Sequence, residues 1–216
     1  SVILETSERF SYDEISDIIK RITGLSVNLN LKLVKQDIHL KNNQEGKIRC
    51  GDNGIFKGVP LTHEQKKLSK IARNIFKKYP YDGKYILDKD KLIICQSNAK
   101  TSDLKKMYPG AIINPLGYWS GGINVDVGAV NRKLGSDMAD SITGGGLHGK
   151  DLSKADVSIN IYAFKKAQKL NKVVSISCAI GDEMVDGIPY EEIVKEAKEY
   201  IKQIGGFEEF AKWGLY

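Results

Sequence analysis

The strongest constraint on the fold is an alternation along the chain, in which helix signals with defined starts and stops are interleaved with short β-branched runs. Ser11-Tyr12-Asp13-Glu14 is a capping box, a serine and a glutamate three residues on that satisfy each other's backbone donors. Ile15, Ile18, Ile19 and Ile22 follow at helical spacing, and Gly24 supplies the stop. Thr62-His63-Glu64-Gln65 repeats the signal ahead of Leu68, Ile71, Ala72, Ile75 and Phe76, with Pro80 beyond the end. A third helix is expected over Ala155 to Leu170, with Ile159, Ala163, Ala167 and Leu170 on one face. A fourth is expected from about Tyr190 to Ile204, with Ile193, Ala197 and Ile201 inward and Gly205-Gly206 as its stop. Leu31 to Ile38, Leu92 to Cys95 and Val173 to Ile180 read as strands, and Lys41 to Lys47 as a polar loop. Interleaving of this kind predicts an α/β chain with helices packed on mixed sheets.

At 216 residues and 41% hydrophobic content the chain has enough apolar material for a substantial core, as one domain or as two or three closely packed units. It contains no apolar run long enough to cross a bilayer, and Ser1-Val2-Ile3-Leu4-Glu5 does not read as a signal peptide, so the expected location is the cytoplasm. Cys50, Cys95 and Cys178 are odd in number and widely spaced, which fits neither a disulfide framework nor a zinc site; they are read as reduced and structural. A net charge of +6 suits a nucleic-acid binder and equally an enzyme that handles an anionic nucleotide. The pairs Lys66-Lys67, Lys77-Lys78, Lys105-Lys106 and Lys165-Lys166 are expected on solvated helix faces.

The densest chemical signal runs from Gly144 to Asp156, where three glycines precede His148-Gly149-Lys150-Asp151-Leu152-Ser153-Lys154-Ala155-Asp156. Glycines admit backbone N–H groups to phosphate oxygens, lysines offset the charge, and an aspartate can hold Mg²⁺. Asp126-Val127-Gly128-Ala129-Val130-Asn131-Arg132-Lys133 is a second cluster of an acid followed by bases. By letter, Gly144-x-Gly146-x-x-Gly149 fits a dinucleotide fingerprint, yet no apolar strand precedes it. Gly144 to Lys150 fits the start of a Walker A motif, yet Asp151 stands where the Mg²⁺-binding hydroxyl belongs. A glycine-rich surface turn leading into a helix is the plain alternative. A single lysine or aspartate on a loop is more often solvated than catalytic, and a lone Trp119 more often packs in a core or interface than under a base.

Six segments in register give these clusters a common context. They are Gly51-Asp52-Asn53-Gly54; Asp82-Gly83-Lys84; Ile113-Asn114-Pro115-Leu116-Gly117-Tyr118-Trp119; Asp126 to Lys133; Gly144 to Asp156; and Ser177-Cys178-Ala179-Ile180-Gly181. In this order the chain resembles a shortened S-adenosylmethionine synthetase (methionine adenosyltransferase). The resemblance implies that family's fold of related units with helices on mixed sheets, divided here approximately as residues 1–30 (the remainder of a first unit), 31–110 (a central unit) and 111–216 (a C-terminal unit with phosphate-binding loops). It also implies synthesis of S-adenosylmethionine from ATP and L-methionine, with the triphosphate cleaved to pyrophosphate and phosphate. Mg²⁺ and K⁺ are the implied cofactors, and a homodimer with its active site at the interface the implied assembly.

Carried over position by position, the resemblance assigns ATP binding to Asp82, Lys84, Trp119, Asp126, Arg132, Lys133, Gly146 and Lys150, with Trp119 in place of the aromatic that stacks on adenine. It assigns catalysis to Lys84, Arg132, Lys133, Lys150 and Lys154, methionine binding to Glu5, Gln36, Asp126 and Lys154, and the metal to Asp156. Cations placed where charge grows on the leaving triphosphate are the expected catalytic device. No histidine is given a catalytic role.

The chain departs from the family at several points. The His-Pro-Asp-Lys segment with which such enzymes begin is not in it, the resemblance starting at about Glu5. Tyr118 stands where the family has arginine, Asn131 replaces a glycine, and Val157 replaces an arginine. Two other readings therefore stay open: a non-catalytic, regulatory or split homologue that binds nucleotide or S-adenosylmethionine, and a basic nucleic-acid-binding module. The last is disfavoured by the lack of an aromatic-rich basic strand or a recognition helix.

Overall fold

The computed structural model describes residues 2–6, 9–26, 28–35, 54–122, 125, 142–143, 155–179 and 181–215. Helices and strands alternate through them in a mixed α and β arrangement with small sheets. The strands are β1 (Val2–Thr6), β2 (Leu31–Lys35), β3 (Gly54–Gly58), β4 (Gly83–Asp88), β5 (Lys91–Gln96), β6 (Ile112–Ile113), β7 (Ile142–Thr143), β8 (Val174–Cys178), β9 (Met184–Val185) and β10 (Ile188–Pro189). The helices are α1 (Tyr12–Thr23), α2 (His63–Phe76), α3 (Thr101–Met107), α4 (Ala155–Leu170), α5 (Tyr190–Gln203) and α6 (Phe207–Trp213).

The local signals set the helix ends. Glu14 N–H donates to Ser11 Oγ (3.1 Å) and Ser11 N–H to Glu14 Oε2 (2.7 Å), while Gly24 at φ 71° returns its N–H to Lys20 O. Thr62 and Gln65 make the same reciprocal pair at the start of α2. Each such cap contributes about 1 kcal/mol. After α5, Gly205 and Gly206 adopt φ of 109° and 97°, and Gly206 N–H reaches back to Ile201 O, which closes the helix.

Four sheets form. β1 and β2 run parallel, β9 and β10 make a short hairpin, β7-β3-β8 is antiparallel, and β4-β5-β6 joins an antiparallel pair to a parallel one. These pairings link segments on both sides of residues 30 and 110. Two cores meet on α4. One side of it, Ile159, Ala163 and Ala167, packs on Phe56 of β3 and Val174, Ile176 and Cys178 of β8. Another, Val157, Ile161 and Phe164, packs on Ala197 and Ile201 of α5 and Phe210 of α6. All of residues 157–164 are buried, so α4 is enclosed on several sides instead of presenting one apolar face; Leu170, expected inward, is exposed. Ile18 is likewise exposed on α1, where Ile15 is buried.

β3 approaches α4 at Gly58, where a Cβ would fall 2.1 Å from the carbonyl oxygen of Ala163; only the missing side chain lets strand and helix meet there. A third core lies under β4-β5-β6, where Ile71 and Ile75 of α2 meet Ile94, Leu104 and Ile113. Lys66-Lys67, Lys77-Lys78 and Lys105-Lys106 are exposed, as their spacing predicts. Lys165 and Lys166 are half-buried instead, paired with Glu196 of α5 and Asp186 of the β9–β10 turn. Cys95 and Cys178 are reduced, half-buried and buried respectively; Cys50 lies outside the described residues. Among the described residues, no helix is long and apolar enough to cross a membrane.

Candidate functional site

The sheet β4-β5-β6 gathers three of the expected site residues at one end. β5 and β6 are parallel and finish there, and antiparallel β4 begins there, Gly83 opposite Gln96 and Ile94 opposite Ile113. The turns after β5 and β6 and the segment before β4 must therefore meet. Asp82 precedes β4, Lys84 is its second residue, and Trp119 follows β6 through the turn at Asn114 to Gly117.

Two buried amides hold this end together. Gln96 is fully buried; its Nε2 donates to the carbonyls of Asp82 (3.0 Å) and Tyr81 (3.1 Å), and its Oε1 accepts from Tyr85 Oη. Asn114 Oδ1 accepts from Gln96 N–H (2.8 Å) and its Nδ2 donates to Gln96 O (3.1 Å), a reciprocal clamp between β5 and the turn after β6. Asn114 sits at φ 41°, a left-handed conformation that asparagine tolerates better than most residues. Buried amide groups left unpaired cost about 1–3 kcal/mol each, so these partners select one arrangement of the three segments.

The neighbouring residues extend the clamp. Ser97 donates from N–H and Oγ to Asp82 O, both at 2.9 Å. Asn98 N–H donates to Trp119 O (3.0 Å) and Asn98 Nδ2 to Gly121 O (2.7 Å). The carboxylate of Asp82 accepts from Gly122 N–H (2.7 Å), so it clips the loop after Trp119 to the start of β4. A Cβ on Gly121 would fall 2.7 Å from Asp82 Oδ2 and 2.9 Å from Ser97 Oγ; glycine alone lets that loop lie so close.

Alternation along β4 places Tyr85 against the third core and Lys84 on the exposed face. Burial, with the neighbouring Tyr108 adding to it, pushes the Tyr85 hydroxyl up to about 12, so at neutral pH it remains a donor to Gln96. Tyr118 and Trp119 are both exposed, 67% and 38%, which leaves aromatic surface beside the clamp. The arrangement offers an exposed ammonium, exposed rings and a rigid backbone, a combination suited to an anionic ligand with a planar group.

Of the remaining expected residues, Glu5 lies in β1, paired through the backbone with Val34 of β2, and the chain reaches Gln36 one residue beyond that strand. Asp156 is the second residue of α4; its side chain is outside the described residues. Gln36, Asp126, Arg132, Lys133, Gly146, Lys150 and Lys154 lie outside the described residues, as do Gly51 to Asn53 and the loop from Lys41 to Lys47. Among the described residues, no three His, Cys, Asp or Glu side chains are grouped to hold a metal ion. Gln96, Ser97 and Asn98 were not singled out from sequence, although a polar run directly after the apolar Leu92-Ile93-Ile94-Cys95 marks a place where a strand ends in hydrogen-bonding groups.

A comparison of the chain with protein-family models found no match, and a comparison with curated proteins found none either.

Proposed function

We propose that the chain carries the nucleotide-handling part of a methionine adenosyltransferase, which makes S-adenosylmethionine from ATP and L-methionine and cleaves the released triphosphate to pyrophosphate and phosphate. The observation that carries this reading is the joining of Asp82-Gly83-Lys84 to Asn114 through Gly122 by Gln96 and Asn114. Asp82-Gly83-Lys84 and Ile113 to Trp119 are two of the six segments that resemble the family, and they lie some thirty positions apart in the chain. The same reading implies the family's arrangement of related units and a homodimer with the active site at its interface.

In the reaction the methionine sulfur attacks C5′ of ATP and the triphosphate departs, so negative charge grows on the leaving group. Lys84 is the described residue suited to meet that charge, since its ammonium is exposed beside the clamp. A cation held in advance where charge develops needs no reorganisation during the step. The Asp82–Gly122 bond holds the loop after Trp119 to the start of β4, and Trp119 supplies the surface on which adenine stacks. In this reading Asp156 would hold Mg²⁺, which would supply neutralising charge at the triphosphate, with K⁺ as the second cofactor. The reaction also requires the family's His-Pro-Asp-Lys segment.

The test is an assay with ATP, methionine, Mg²⁺ and K⁺ in which that segment is supplied. Methionine-dependent formation of S-adenosylmethionine, with phosphate and pyrophosphate released together, is expected. Lys84→Met should lower the rate about 10²–10³-fold. Absence of all three products sinks the enzymatic reading. Nucleotide binding without turnover would then point to a regulatory or split homologue.

A further inference from the structure

Away from that site, other elements form a concavity. α2, α5 and α6 enclose a cleft of about 260 Å³ whose walls include Lys70, Arg73, Ile204, Glu209, Trp213 and Leu215. Lys70 and Arg73 are three apart on α2 and so share a face. The Arg73 guanidinium lies 4.7 Å from the centre of the Trp213 ring, with Ser69 Oγ 3.5 Å from its Nε one turn earlier. Phe76 meets the same ring edge-on at 5.0 Å, and the Tyr200 hydroxyl donates to Leu215 O, which ties the turn after α6 to α5.

The cation is thus oriented by an aromatic face and a hydroxyl and not by a carboxylate. The ion pairs among the described residues join Arg21 to Glu208, Lys78 to Asp103, Lys165 to Glu196 and Lys166 to Asp186; Lys70, Arg73 and Glu209 take part in none of them. Among the described residues that line the cleft, two cations stand against one acid, beside the apolar Ile204, Leu215 and Trp213. Such a site matches a ligand with one negative charge and an apolar body. The volume lies just below the range of about 300–1,000 Å³ usual for drug-sized ligands, which favours a small occupant.

We propose that this cleft binds a small amphipathic acid, with its carboxylate between Lys70 and Arg73 and its apolar body against Trp213, Ile204 and Leu215. The chain has two tryptophans, so Trp119→Phe leaves Trp213 as the reporter. Phenylacetate titrated to about 5 mM should give a saturable change in its emission, and the neutral phenylacetamide should bind at least about tenfold more weakly. Arg73→Gln should weaken phenylacetate about tenfold and the more exposed Lys70→Gln about threefold. Calorimetry on the unsubstituted chain should give the same affinity. If Arg73→Gln does not fold, Lys70→Gln and the amide comparison decide. The proposal fails if phenylacetate gives no saturable signal, if the amide binds equally well, or if binding is unchanged in the folded variants.

Discussion

The core around α4 and the clamp at the end of the β4-β5-β6 sheet both rest on buried side chains, yet they are held by different forces. Around α4 the contacts are almost wholly apolar, from Phe56, Ile159 and Ile176 on one side to Phe164, Ile201 and Phe210 on the other. At the sheet end, the buried side chains of Gln96 and Asn114 spend most of their hydrogen bonds on backbone groups before β4 and at the end of β5, and so join three segments. Apolar packing is non-directional and supplies stability in proportion to the area it covers. Hydrogen bonds are directional, contribute less net energy and choose between arrangements. The first region keeps the chain folded, and the second keeps Asp82, Lys84 and Trp119 in register.

The largest expected effect tests the apolar side. Ile159→Ala should cost about 2–5 kcal/mol in a urea titration, because α4 is packed on several sides and the hole cannot collapse from one of them. A loss below about 1 kcal/mol would mean that α4 is less enclosed than described.

Next, Gln96→Leu should cost about 1–3 kcal/mol, since it takes the Gln96 partner from the Tyr81 carbonyl and the Tyr85 hydroxyl and leaves the Asp82 carbonyl to Ser97. Its distinguishing sign is a change in Trp119 emission at denaturant concentrations where the protein is still folded. Ile159→Ala should leave that emission unaltered; equal shifts in both variants would erase the distinction between the regions.

A smaller effect should appear at alkaline pH. The folded Tyr85 hydroxyl titrates at about 12, above its unfolded value of about 10, so the folded state holds the proton more tightly. Its contribution is complete below about pH 10 and is lost as pH rises toward 12. Because the side chain is only half-buried, the loss should be about 1 kcal/mol, not the full value implied by the shift. Unfolding measured between pH 9 and 12, as order-of-magnitude limits of that window, should show the decline in the parent chain and less of it in Tyr85→Phe. Identical slopes would remove Tyr85 as its source.

The smallest change belongs to the surface. Arg21→Ala breaks the exposed pair with Glu208 that joins α1 to α6, and should shift stability by less than about 0.5 kcal/mol. A larger loss would show that α1 depends on this bridge more than on its caps.

Much of the helical framework was legible because its signals are local. Ser11 with Glu14, Thr62 with Gln65 and Gly24 act within one helical turn, so α1 and α2 begin, and α1 ends, where the residues indicate. α4 covers the predicted span, yet its enclosure escaped the pattern, since one inward face was expected and Ser158 and Asn160, outside that face, are buried as well. Ser158 shares a hydrogen bond with Tyr190 Oη at 2.9 Å, a partner 32 positions away. Two short helices, α3 and α6, were passed over; seven residues without a side-chain cap leave little periodicity to read. Of the candidate site, Asp82, Lys84 and Trp119 were named from their motifs and Asn114 stood in one of them, whereas Gln96, Ser97 and Asn98, which bind these segments to β5, were not named. Gln96 and Asn114 are 18 positions apart, and nothing in either neighbourhood announces the other.

By itself the sequence determined where four helices lie, that three runs hold β2, β5 and β8, and that the chain is an α and β mixture, because capping, periodicity and β-branching act over a few residues. The tertiary structure decided that α4 is surrounded, that Gly58 lets β3 touch it, and that the turns at Asp82, Ser97 and Trp119 share one end of a sheet. Those outcomes depend on strand register and on which distant segment comes to rest against a buried amide, and neither is encoded within a single turn of the chain.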